Sequence, residues 1–190
     1  MNPDNVPKEK DDLISFFTEV VKFVFLALII VVPIRVFVAQ PYIVSGNSMI
    51  PSFHNGDYLV VDQLSYRFKE PERGDVIIFR FPNDTSKFFI KRIIALPNET
   101  IEIEKGVVTI INEVQPDGVI IGEPYNESLF RDTMTTVLGE DEYFVMGDNR
   151  IASLDSRSWG VLSRELVIGR TFVRLFPVTD ISFIPGAVVY

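Results

Sequence analysis

Thr100-Ile101-Glu102-Ile103-Glu104-Lys105-Gly106-Val107-Val108-Thr109-Ile110-Ile111 decides the fold class. On either side of Lys105-Gly106 the residues are mostly β-branched, and a two-residue link ending in Gly signals a tight hairpin. Moving outward, Asp57–Asp62, Asp75–Phe81, Phe88–Leu96, Tyr143–Met146 and Val167–Phe176 share this character, with Gly, Pro, Asn and Asp between them. No amphipathic helical repeat follows residue 40, apart from a possible turn near Ser163–Leu166. Pro116–Gly139 carries the weakest signal and reads as loops with one short strand. Beyond residue 40 the chain is expected to be mainly β.

Ahead of this region the pattern changes. Leu13–Ala39 is mainly apolar, uninterrupted from Phe23 to Ile34, with Lys22 and Arg35 near its two ends. About 20 apolar residues cross a bilayer, and both cations can snorkel to the interfaces. A buried core helix is the alternative. A cleaved leader is disfavoured, because cutting after Ala39 puts Phe37 at −3, where small residues are required. Lys8, Lys10 and Lys22 precede the apolar core, which orients the N-terminus inward. The expected organisation is a short cytoplasmic tail over 1–12, a single-pass transmembrane anchor over 13–40 and an extracytoplasmic β domain over 41–190. Residues 97–142 read as a smaller hairpin-and-loop insertion.

Composition narrows the chemistry. With 47% hydrophobic residues and 16 Phe the chain is not disordered, and a net charge of −8 disfavours nucleic acid as a partner. Cys is absent and His54 is the one histidine, so thiol nucleophiles, cysteine metal sites and Ser-His-Asp triads are not expected. Neither a metal nor a cofactor is expected.

Three stretches can carry chemistry. In Ser45-Gly46-Asn47-Ser48-Met49-Ile50-Pro51, Gly46 is free to take φ > 0 and Pro51 restricts its neighbour, which suits a held nucleophile at Ser48 and equally suits an ordinary polar turn. In Phe88–Ile94, a strand would put Lys91 on one face with Phe89 and Ile93 and turn Arg92 to the other. To act as a base near neutrality such a lysine must lose roughly 3 pKa units, about 4 kcal/mol. A lysine that discourages edge pairing is the other reading. Met146–Gly160 interleaves Asp, Arg and Ser between two strands, as ion pairs bracing a site or a structural loop would.

Taken in order, Ser45–Phe53, Arg73–Pro82, Phe89–Pro97 and Met146–Thr171 resemble the sequence boxes of bacterial type I signal peptidases. With the apolar run ahead of them, the resemblance spans nearly the whole chain, and Gly147–Gly160 is its most specific part. It implies a signal-peptidase fold, shared with repressor autoproteases, and a serine endopeptidase without cofactor. Ser48 resembles the nucleophile, Lys91 the general base and Ser153 the serine that orients the lysine. Asp148 with Arg92, and Asp155 with Arg157, resemble two bracing pairs. Tyr42, Val44, Met49 and Ile90 match positions bordering pockets for small substrate residues at −1 and −3. The implied partners are secretory preproteins and the lipid bilayer, with the enzyme a monomer at the outer face of the cytoplasmic membrane.

Some positions depart from the pattern. Gly46 stands where certain members carry a serine that donates to the oxyanion, which leaves the Ser48 N–H as one donor and the second unidentified. Ser52 stands where Thr is usual. His54 is expected at the surface, and Phe side chains around Pro41–Phe53 are expected to reach lipid. The rival readings are a self-cleaving repressor, which would need a DNA-binding domain where the apolar run stands, a silent binding protein and a structural β domain. The presence of Ser48, Lys91 and Ser153 together speaks against the silent binding protein.

Overall fold

The computed structural model describes residues 9–33, 39–126 and 130–188. Met1–Val38 and Ala39–Tyr190 form separate compact units. In the first, α1 (Glu9–Pro33) includes Leu13–Val32, a 20-residue stretch of mean hydropathy 2.3 that is long and apolar enough to cross a membrane. The helix begins at Glu9, inside the expected tail, because Glu9–Asp12 continue its turns. Residues 1–8 and Arg35, on which part of the anchor reading rests, lie outside the described residues.

The second unit is mainly β. Its strands are β1 (Ala39–Ile43), β2 (Tyr58–Asp62), β3 (Val76–Phe81), β4 (Asp84–Ala95), β5 (Thr100–Glu104) and β6 (Val107–Ile111). They are followed by β7 (Val119–Ile120), β8 (Met134–Val137), β9 (Glu142–Met146), β10 (Leu162–Ser163), β11 (Val167–Phe176) and β12 (Ser182–Phe183). The larger sheet runs β1-β2-β11-β3-β4-β9-β10, with β12 beside β11, and the smaller runs β7-β6-β5-β8. All pairings are antiparallel. The Lys105-Gly106 turn joins β5 to β6 with φ of 51° and 89°, the double positive φ of a tight hairpin turn.

Three differences from the sequence reading are local. The fourth strand starts at Asp84 rather than Phe88, because Phe81 pairs with Asp84 across a tight turn. Pro116–Gly139 holds two short strands, β7 and β8, whose partners β6 and β5 supply the order that their own residues lack. A single helical turn, α2 (Ser156–Trp159), is capped by the Asp155 side chain accepting from Arg157 N.

Strand β4 is the axis of the core. Ile90 packs with Val44, Met49, Phe53, Leu59, Val61, Val76 and Ile78. Ile93 joins Tyr66, Ile77, Phe79, Tyr143, Val145 and Leu162. Ile94 and Ala95 pack on the smaller sheet through Ile101, Ile103, Val108 and Ile110. Both faces of Ile90–Ala95 are thus covered, and Lys91 and Arg92, in the middle of that run, are 4% and 0% exposed. Phe53 corrects the lipid expectation: it is 0% exposed and lies under the Arg174 guanidinium, 5.1 Å from ring centre to Cζ.

Candidate active site

Ser48 sits in the turn between β1 and β2. Gly46 adopts φ +96°, open only to glycine without strain, and its N–H donates to Asn55 Oδ1 at 2.9 Å. Val44 N donates to Asp57 O and Gly56 N to Val44 O, each at 2.9 Å, which closes the base of the turn. Arg174 from β11 donates to Ser52 O at 2.8 Å and pairs with buried Asp57 at 3.3 Å, fixing the downstream side. Ser48 O accepts from Asn149 N at 3.0 Å, so the turn is tied to the loop after β9.

Lys91 projects from β4 to this turn. Its Nζ donates to Ser48 Oγ at 2.8 Å and to Ile90 O at 2.8 Å, and lies 5.4 Å from the Phe89 ring centre. Burial pulls the ammonium down to about 8, against the opposing effect of the Asp155 and Asp148 carboxylates. Near neutrality an appreciable fraction of Lys91 is therefore a free amine facing a hydroxyl. Such a pair can take the hydroxyl proton and generate an alkoxide-like nucleophile.

The loop after β9 surrounds the pair with buried charge. Arg92 binds Asp148 through two parallel bonds, Nε–Oδ1 at 2.8 Å and Nη2–Oδ2 at 2.6 Å, and also donates to Gly74 O at 2.9 Å and Gly186 O at 2.5 Å. Asp155 pairs with Arg157 at 2.8 and 2.9 Å and accepts from Gly147 N at 3.0 Å. Burial alone would raise the Asp155 carboxyl, but the Arg157 and Gly147 donors outweigh it and hold the group below its usual range.

Ser153 and Met49 stand differently from the roles that the resemblance implies. The Ser153 hydroxyl is buried and reaches no partner with full hydrogen-bond geometry among the described residues, although it lies near enough to Asp155 to favour its ionised form. It does not bond Lys91, whose Nζ donates to Ser48 and Ile90. Met49 is 1% exposed and faces the core rather than the cleft. Tyr42, Val44 and Ile90 do line a cavity of about 520 Å³ that also contains Ser48 and Lys91. His54 is exposed, its N–H donating to Asp57 Oδ2 at 3.0 Å. The Ser48 N–H has no acceptor among the described residues, which leaves it open to an oxyanion.

Residues 17–176 match the family model for signal peptidase, peptidase S26. The chain belongs to this family of serine endopeptidases. It is 34% identical to a probable signal peptidase I-1 of Synechocystis sp. over 92% of this chain and 93% of the relative. It is also 34% identical to signal peptidase I of Bacillus amyloliquefaciens, covering 84% and 85% of the two chains. Among solved structures it resembles a signal peptidase I from Enterococcus faecalis V583, with 30% identity, 54% of this chain, 97% of the other and a TM-score of 0.46.

Three side chains of this signal peptidase family member escaped the sequence reading. Arg150, with its side chain 0% exposed, binds Glu123 and donates from Nε to Gly147 O at 3.0 Å. Glu123 and Tyr125 come from the stretch with the weakest signal, and Tyr125 places its ring 4.0 Å from Arg92 Cζ. Arg150 follows Asn149 in the Gly-Asp-Asn-Arg run, so its position was visible; its partner was not, because Glu123 lies 27 residues away.

Proposed function

We propose that the chain removes signal peptides from secretory preproteins through a Ser48–Lys91 dyad. The observation that carries this is Lys91 Nζ 2.8 Å from Ser48 Oγ, with the amine held at about 8 by burial. Neutral Lys91 takes the Ser48 proton while Oγ attacks the scissile carbonyl, and the Ser48 N–H supports the oxyanion. Lys91 returns the proton as the carbon–nitrogen bond breaks and the new amine leaves. Water, deprotonated by the same amine, then cleaves the ester of the acyl-enzyme. The reaction calls for neither metal nor cofactor.

The cleavage region of the preprotein lies extended along open strand backbone beside the cavity. Strand β1 is an edge strand, and β4 before Arg92 pairs on one side only, with β3. Tyr42, Val44 and Ile90 supply a mainly apolar wall that admits small residues at −1 and −3. The Leu13–Val32 helix spans the membrane once with its N-terminus in the cytoplasm, and the β unit works outside, with residues 97–142 acting as an insertion. Every reacting group comes from one chain, so a monomer suffices.

The test is cleavage of a preprotein in detergent or lipid by the purified chain beside Ser48→Ala and Lys91→Ala, with folding followed by circular dichroism. Loss of cleavage in both folded variants supports the dyad. Survival of activity in Lys91→Ala removes Lys91 as the base, and an inactive native chain on several preproteins overturns the reading.

A further inference from the structure

A short segment outside every sequence box holds the loop against which Ser48 is seated. Gly147 is the contact point. A Cβ there would collide with Ser48 O and Ser153 Oγ, so its peptide lies directly against the nucleophile's own backbone. Gly147 is held through both of its backbone polar groups. Its N–H donates to Asp155 Oδ2 at 3.0 Å, and its carbonyl accepts from Arg150 Nε at 3.0 Å.

Arg150 has no freedom of its own. Its side chain is fully buried, and both terminal nitrogens donate to the Glu123 carboxylate, Nη1 to Oε2 at 2.8 Å and Nη2 to Oε1. Glu123 also accepts from Tyr125 Oη at 3.2 Å, and the Tyr125 ring lies under the guanidinium of Arg92. Arg157 completes the loop by donating from Nη2 to Arg150 O at 2.7 Å. A forked guanidinium bound at Nε and at both terminal nitrogens is a rigid link, because any rotation breaks at least one charge-assisted bond.

We infer that Glu123 is a positioning residue for the peptidase reaction, acting through Arg150 and the Gly147 carbonyl on the backbone of Ser48. The inference rests on the proposed dyad. Glu123 touches neither Ser48 nor Lys91, and its effect is to keep the Ser48 turn in register with Lys91. Small displacements of a reacting group cost rate far more than they cost binding, so the signature is in kcat.

The experiment compares the full chain with Glu123→Gln, Glu123→Asp, Arg150→Lys and the Glu123→Gln/Arg150→Lys double variant, reading kcat, KM and thermal midpoint on one preprotein. Native cleavage in the same assay establishes the peptidase, so its absence would condemn the dyad reading rather than this one. The expected result is a kcat lower by about tenfold in Glu123→Gln with KM within about twofold, and partial recovery in Glu123→Asp, which keeps the charge. The double variant should be no slower than the slower single, since both act on one link. Unchanged kcat in folded Glu123→Gln, or losses that multiply in the double variant, would overturn the proposal. Should Glu123→Gln fail to fold, Arg150→Lys, which keeps the buried charge beside Glu123 but not the fork, carries the test with the same expected kcat loss, and native kcat there overturns it.

Discussion

Lys91 Nζ donates to Ser48 Oγ at 2.8 Å across 43 residues of chain, and the distance is set by two frames that share one core cluster. Lys91 is carried by β4, the strand that enters all three core clusters. Ser48 is carried by a turn closed at its base by Val44, Asp57 and Gly56 and tied to Asn149. Neither frame moves without disturbing the core, so the contact is preorganised before substrate arrives.

Cleavage should rise with pH through a midpoint near 8 in the free enzyme. Desolvation has brought Lys91 down to about 8, and only its neutral form accepts the Ser48 proton. A pH profile of kcat/KM checks this. A midpoint near the ordinary lysine value of about 10.4 would mean that water reaches the amine.

Stability should change with pH in a stated direction. Lys91 has an ordinary value of 10.5 and a native value of about 8, so between these the unfolded chain holds a proton that the native chain does not. Stability therefore rises with pH across that window, and below about 8 the full penalty applies, about 3 kcal/mol. Lys91→Met removes the penalty and keeps the volume. We expect an inactive protein with a higher thermal midpoint at pH 7, and scanning calorimetry reads it directly.

Gly147→Ala should damage activity more than stability. The added methyl would meet Ser48 O and Ser153 Cβ, which no side-chain rotation moves, and Ser153 Oγ, which can rotate away. Displacing the Ser48 backbone by a fraction of an ångström moves Oγ out of line, and a loss of about 10²-fold in kcat is expected. Kinetics beside a urea melt separates the two effects.

Phe53→Ala should unfold the β unit more readily rather than loosen it from lipid. Phe53 is fully buried with Met49, Leu59 and Val61, and deleting such a ring costs about 3–5 kcal/mol. The urea midpoint should fall with little change in slope. A midpoint within error of the native value would contradict the burial.

The mainly β class was legible from Thr100–Ile111, where β-branched runs flank Lys105-Gly106, and it extended to strands recognised by the same local rule. The Leu13–Val32 helix was legible from hydropathy alone. Ser48 and Lys91 stood out as candidates within their own segments, and the pairing of Asp148 with Arg92 and of Asp155 with Arg157 was implied by the resemblance to the signal peptidase boxes. Short strands such as Val119–Ile120 were not legible, since two residues carry almost no propensity and depend on their partner Thr109–Ile110.

By itself the sequence determined where the longer strands run, which segment is apolar enough to cross a bilayer, and which reactive groups the chain possesses. These follow from preferences set by neighbours a few residues away. Only the tertiary structure decided that Met49 turns into the core and that the buried Ser153 hydroxyl makes no hydrogen bond to Lys91. It alone brought Glu123 to Arg150 and placed the amine of Lys91 where burial brings it to about 8. Desolvation and pairing depend on groups distant in the chain, and those meet only when the two sheets close around β4.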